Sequence, residues 1–149
     1  MTLCDLLEML RYRLEVQELI LNAGLTSRIS LAVREVEEAL ENIRVAELER
    51  SMEAEEAARS LGLDSNASLR EIAERAPAPW DELLREHRTA LLELTGEIGE
   101  IGKRNRDTLA ANYQATQETL AILREDARTY DKHGGTDPTT GSHIIDTSL

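Results

Sequence analysis

Residues 80–126 read WDELLREHRTALLELTGEIGEIGKRNRDTLAANYQATQETLAILRED, and the spacing of the apolar positions in this stretch decides the fold. Trp80, Leu84, His87, Leu91, Leu94, Ile98 and Ile101 recur in alternating steps of four and three. That is the seven-residue repeat of a helix packed along a seam. Asn105 falls next on the register, followed by Thr108 and Asn112, and the seam turns polar. A second register takes over through Leu109, Tyr113, Thr116, Leu120 and Leu123. The step from Ile101 through Asn105 to Leu109 is four plus four, a stutter that rotates an apolar stripe around its helix. One long helix therefore presents two faces to two different neighbours.

Upstream, Ala76-Pro77-Ala78-Pro79 bars helix continuation, because proline lacks an N–H and restricts its predecessor. Asp81 and Glu82 suit the positive end of the helix that follows. Ser68-Leu69-Arg70-Glu71 matches a capping box, which predicts a short helix over 68–75. Before it, a helix over 27–61 starts at Thr26 or Ser27 as cap and ends at Gly62. Its seam is Ile29, Val33, Val36, Leu40 and Ile43, interrupted at Glu47 and Arg50, then resumed thinly by Ala54, Ala57 and Leu61. The first helix, 3–22, carries Leu3, Leu7, Leu10, Leu14 and Leu21, with Gln17 interrupting. Asn22-Ala23-Gly24 stops it. The last helix covers 80–126. Residues 131–149, with Gly134-Gly135 and Pro138, read as a flexible tail in which Ile144-Ile145 is a short apolar pair. The expected architecture is an all-α, elongated antiparallel bundle of three long helices and one short one, a single domain over 1–130.

Composition narrows function. Seventeen basic residues against 29 acidic ones leave a net charge of -12, which argues against a phosphate backbone as partner. The one cysteine, Cys4, permits no internal disulfide. No secretion signal and no apolar run long enough to span a membrane is apparent, so a cytoplasmic protein without membrane insertion is expected. No catalytic constellation, metal set, phosphate loop or cofactor motif is present, which points away from an enzyme. His87 lies on the seam, without the carboxylate three residues earlier that di-metal bundles use, and reads as a half-buried packing residue. Lys103, Arg104 and Arg106 form the one basic knot, best matched to acidic neighbours.

Helix lengths add an inference. At 1.5 Å per residue the three long helices span about 30, 52 and 70 Å. Short connections make sequential helices antiparallel neighbours, so the last helix exhausts its cover near residue 114. Leu120 and Leu123 then lack an intramolecular neighbour, and such a stripe marks a partner groove, a self-association surface or a swapped segment. In the middle of the same helix, Gly96, Gly99 and Gly102 read as a softened hinge, as a point of close helix approach, or as plain tolerance inside a well-packed rod.

Several stretches are similar to one family. Asn105-Arg106 with Leu109, the helix through Leu123, and Thr129-Tyr130-Asp131 with Gly134 resemble FlgN-type flagellar export chaperones. So do Arg34-Glu35-Val36-Glu37, the segment from Ser68 to Trp80, and Leu83-Leu84 with His87-Arg88, in the manner of the high-GC Gram-positive branch. The resemblance spans roughly residues 3–134 and rests on order and spacing. It implies a non-enzymatic chaperone that holds the C-terminal segments of hook-associated (hook–filament junction) proteins and delivers them to the flagellar type III export gate. The implied client surface is Leu109, Asn112, Tyr113, Thr116, Leu120 and Leu123, and Tyr130, with Tyr113 as its competitor, is the implied gate contact. The implied state is a monomer or a weak or domain-swapped dimer. A structural coiled-coil adaptor that dimerises through the same stripe is the alternative.

Overall fold

The computed structural model describes residues 1–133. The tail over 134–149, including Ile144-Ile145, lies outside the described residues. Four helices form, α1 (Leu3–Asn22), α2 (Thr26–Ser60), α3 (Leu69–Arg75) and α4 (Trp80–His133), with no strand among the described residues. The α4 helix runs on past Asp126, where the sequence reading ended it. No helix among the described residues is long and apolar enough to cross a membrane.

Local chemistry explains most of the boundaries. At the start of α3 the Ser68 hydroxyl accepts from the Glu71 N–H at 3.3 Å while Glu71 Oε2 accepts from the Ser68 N–H at 2.7 Å. An equivalent pair opens α1, where Thr2 and Asp5 exchange the same two bonds. Gly24 (φ 66) and Gly62 (φ 71) adopt the left-handed conformation that closes α1 and α2. Around each, two backbone bonds complete the stop: Leu25 N–H to Ile20 O and Gly24 N–H to Leu21 O in the first, Leu63 N–H to Ala58 O and Gly62 N–H to Arg59 O in the second. Neither Thr26 nor Ser27 caps α2, contrary to expectation; its N-cap is Leu25, with no side-chain cap bond. The link is so short that Leu25, already used to close α1, also begins α2.

The described chain falls into two compact units, Met1–Leu109 and the part from Ala110 onward. In the first, Leu10, Leu14, Ala39 and Ile101 form the core, with Val36, Ile43 and Ile98 packed on it. Polar contacts set the register. Arg13 Nη1 donates to Glu35 O at 2.6 Å, so α1 and α2 run antiparallel from their tight turn. Arg11 meets Glu97 at 2.6 Å and Arg104 meets Glu18 at 2.7 Å, so α1 and this part of α4 ascend together. Arg104 thus finds the acidic neighbour expected for the basic knot. Ile72 and Ala73 of α3 are buried, as is Ala58 of α2, so the short helix covers the thin end of α2.

The α2 seam departs from its reading. Ala32 and Ala39 are its buried positions over that stretch, whereas Leu40 is exposed. An alanine admits a neighbouring helix where leucine would hold it off, so the line of closest approach runs one residue away from the larger side chains. Glu47 and Arg50, which interrupt the seam, pair with each other at 2.5 and 2.9 Å.

These pairings predict an acid limb of stability. Hydrogen bonds from Arg50, Arg104, Ser68 and Thr2 hold Glu47, Glu18, Glu71 and Asp5 below the usual carboxylate range. A depressed folded pKa contributes stability that is complete above the unfolded value and lost as pH falls through the folded one. Acidification also relieves repulsion in a chain of net charge -12, which opposes that loss. The melting temperature therefore falls more steeply toward acid in the wild type than in Glu47→Gln, and parallel curves would contradict the assignment.

The surroundings of the α4 glycines remove one of their readings. A Cβ at Gly96 or Gly99 meets nothing within 4 Å, and at Gly102 it meets Arg106 Nη1 at 3.4 Å. Among the described residues no other helix comes within that distance, so close approach of a helix is not their reason. In a helix interior glycine costs about 1 kcal/mol relative to alanine. Gly96→Ala and Gly99→Ala should each raise the unfolding free energy by about that amount in urea titrations.

Candidate partner-binding face

From Ala110 the chain is built of residues that favour helix, with neither glycine nor proline through His133. Every residue from Ala110 to Asp131 is exposed. Amphipathic order survives that exposure. Tyr113, Thr116, Leu120, Leu123, Ala127 and Tyr130 follow alternating steps of three and four, hence share one face. Tyr113 is 68 % exposed, Leu120 41 %, Leu123 58 % and Tyr130 82 %. The Thr116 hydroxyl donates to Asn112 O at 2.9 Å, which leaves its methyl group as contact surface. Glu118 and Glu125 lie on the opposite side, where Gln114 Nε2 donates to Glu118 at 3.1 Å.

The residues implied for client binding thus divide. Asn112, Tyr113, Thr116, Leu120 and Leu123 stand in the second unit and are exposed. Leu109 belongs to the first unit and is half-buried. Tyr130 falls on the same helical face as Tyr113, two and a half heptads on, a relation the sequence reading missed. The repeat that joins Leu120 to Leu123 extends through Ala127 to Tyr130, and only the early helix end assumed at Asp126 hid it.

Two readings in the first unit need correction. His87 is exposed rather than half-buried, and its Nδ1 lies 3.9 Å from Cys4 Sγ. Cys4 thus has this imidazole beside it. Trp80, at the head of the seam, is also exposed, because the seam gains cover only farther along α4. Beside His87 an apolar hollow of about 240 Å³ is lined by Ala54, Ala57, Leu69, Ile72 and Leu84. Among the described residues no cluster of three His, Cys, Asp or Glu side chains is placed to hold a metal ion.

A more consequential partnership is internal. Gln17 and Asn105, the polar interruptions of two separate seams, meet in the core. Asn105 is 2 % exposed, and its Nδ2 donates to Gln17 Oε1 and to Leu14 O, both at 2.9 Å. Its Oδ1 has no hydrogen-bond partner among the described residues. Each residue was visible as a seam defect; that they answer one another depends on the parallel offset of α1 and α4.

The contiguous face carries no acid–base pair, so its chemistry is that of contact. No curated protein and no solved structure matches the chain. The family model described as FlgN protein matches residues 2–138, which covers both units' described residues almost entirely, and the chain belongs to the FlgN family of flagellar export chaperones.

Proposed function

We propose that this chaperone works in the cytoplasm on hook-associated proteins, holding their amphipathic C-terminal segments and releasing them at the flagellar export gate. The observation that carries the reading is the uncovered apolar face of the second unit, with Tyr113, Leu120 and Leu123 as anchors. A client helix destined for subunit packing carries an apolar stripe that must not meet its fellows early. Covering that stripe with a matching one stabilises the soluble client by mass action. A few Leu and Tyr anchors in a helix-to-helix contact give binding that remains reversible. Tyr130, the most exposed of the aromatic side chains on this face, is the proposed contact with the gate.

Affinity purification tests the assignment. The full chain should retain hook-associated proteins from cells building flagella, and the chain ended after Leu109 should not. Equal recovery by both forms would overturn the proposed location of the site.

A further inference from the structure

The face of the second unit has a symmetry of its own. Read in order, Tyr113, Thr116, Leu120, Leu123, Ala127 and Tyr130 run large, small, large, large, small, large. The order is the same from either end, with its centre between Ala121 and Ile122. We propose that this face pairs with the same face of a second copy of the chain as a two-stranded antiparallel contact. Leu120 of each copy then packs on Leu123 of the other, Thr116 on Ala127, and Tyr113 on Tyr130. Small residues oppose small ones at two layers and aromatic rings close both ends.

Charge selects this direction. The side chains flanking the face are Gln117, Arg124 and Asp131 along one edge, and Asn112, Thr119 and Asp126 along the other. In the antiparallel arrangement like edges meet, so Arg124 faces Gln117 and Asp126 faces Thr119. A parallel arrangement joins unlike edges and sets Asp126 beside Asp131 twice, a like-charge contact in both halves. Glu118 and Glu125 point away from the seam in either case. The antiparallel choice also sets the two helix dipoles head to tail.

The size of the contact sets its strength. Eighteen residues of helix per copy bury on the order of 1,000 Å² in total, below the range of stable dimers and within that of transient ones. The pairing itself stands apart from the client reading. Its consequence rests on that reading: a self-covered face is shielded until a client helix displaces the second copy.

Sedimentation equilibrium of the full chain to about 0.5 mM should show a reversible monomer–dimer equilibrium, abolished by Leu120→Asp. A chain that stays monomeric over that range overturns the proposal. Direction is tested by cross-linking in a Cys4→Ser background. Mixed Leu120→Cys and Leu123→Cys chains should form the mixed disulfide in excess over either homodimer. Predominant homodimers would mean a parallel contact and would equally overturn it. A monomeric chain that still binds a client segment would remove the self-pairing alone; a dimer indifferent to clients would remove the client reading alone.

Discussion

Replacing Leu120 and Leu123 together by Asp should weaken binding of an amphipathic client segment by at least about a hundredfold. Burying one leucine side chain is worth about 1.5–3 kcal/mol, so two contribute roughly 3 kcal/mol at the low end. At 1.4 kcal/mol per decade that is two orders of magnitude before any cost of desolvating the carboxylates is added. Both leucines are exposed, so the variant gives up no internal packing. Helix content should therefore hold, with only a fraction of a kcal/mol per site lost in propensity. Ile122 is an exposed apolar residue of the same helix that lies off the face, and Ile122→Asp serves as the control. Titration calorimetry with a hook-associated C-terminal peptide should separate the two variants. Equal affinities would show that the face is not the docking surface.

Much of this architecture was legible because short-range chemistry dictates it. The Ser68–Glu71 capping box, the stops at Gly24 and Gly62 and the break at Pro77 each depend on a few adjacent residues, and each appears where the sequence places it. The Thr2–Asp5 box escaped notice because aspartate replaces the usual glutamate, although its shorter arm reaches the same N–H. What sequence periodicity could not supply was the choice between adjacent residues on α2. Val33 and Leu40 score higher than Ala32 and Ala39 for hydrophobicity, but steric access at a helix crossing favours the smaller pair. The uncovered face was legible through lengths alone. Its onset came out a few residues late, near 114 instead of at Ala110, because the arithmetic assumes straight helices paired to their full extent. The meeting of Gln17 with Asn105 was hidden for a different reason: pairing across 88 positions requires the register between two helices, which no local pattern encodes.

That buried pair leads to the second large effect. Asn105→Ala should cost about 2–4 kcal/mol of stability, since it opens a small cavity and leaves Gln17 buried without its donor. Gln17→Leu or Asn105→Leu alone likewise breaks the bond between the two side chains and leaves the remaining one buried short of a partner, although Asn105 keeps its bond to Leu14 O in the first case. The double variant Gln17→Leu/Asn105→Leu should recover wild-type stability or exceed it, because replacing both partners removes two desolvation costs and the already unpaired Asn105 Oδ1. The resulting coupling, read from a urea double-mutant cycle, should at least equal the sum of the two single-site losses, about 3 kcal/mol or more. If that holds, stability does not account for the pair, and register does. A slip of one heptad between α1 and α4 would, in one direction, set Gln17 against Ile98 and carry Asn105 past the end of α1, and in the other set Asn105 against Leu10; either way the pair is broken and a polar side chain is stranded among aliphatic ones. The wild type is thereby confined to one alignment, while an all-leucine seam tolerates several. The double variant should accordingly show more than one set of amide resonances for α1 despite its stability. Additive single-site losses, or a single sharp set of resonances in the double variant, would refute the register role.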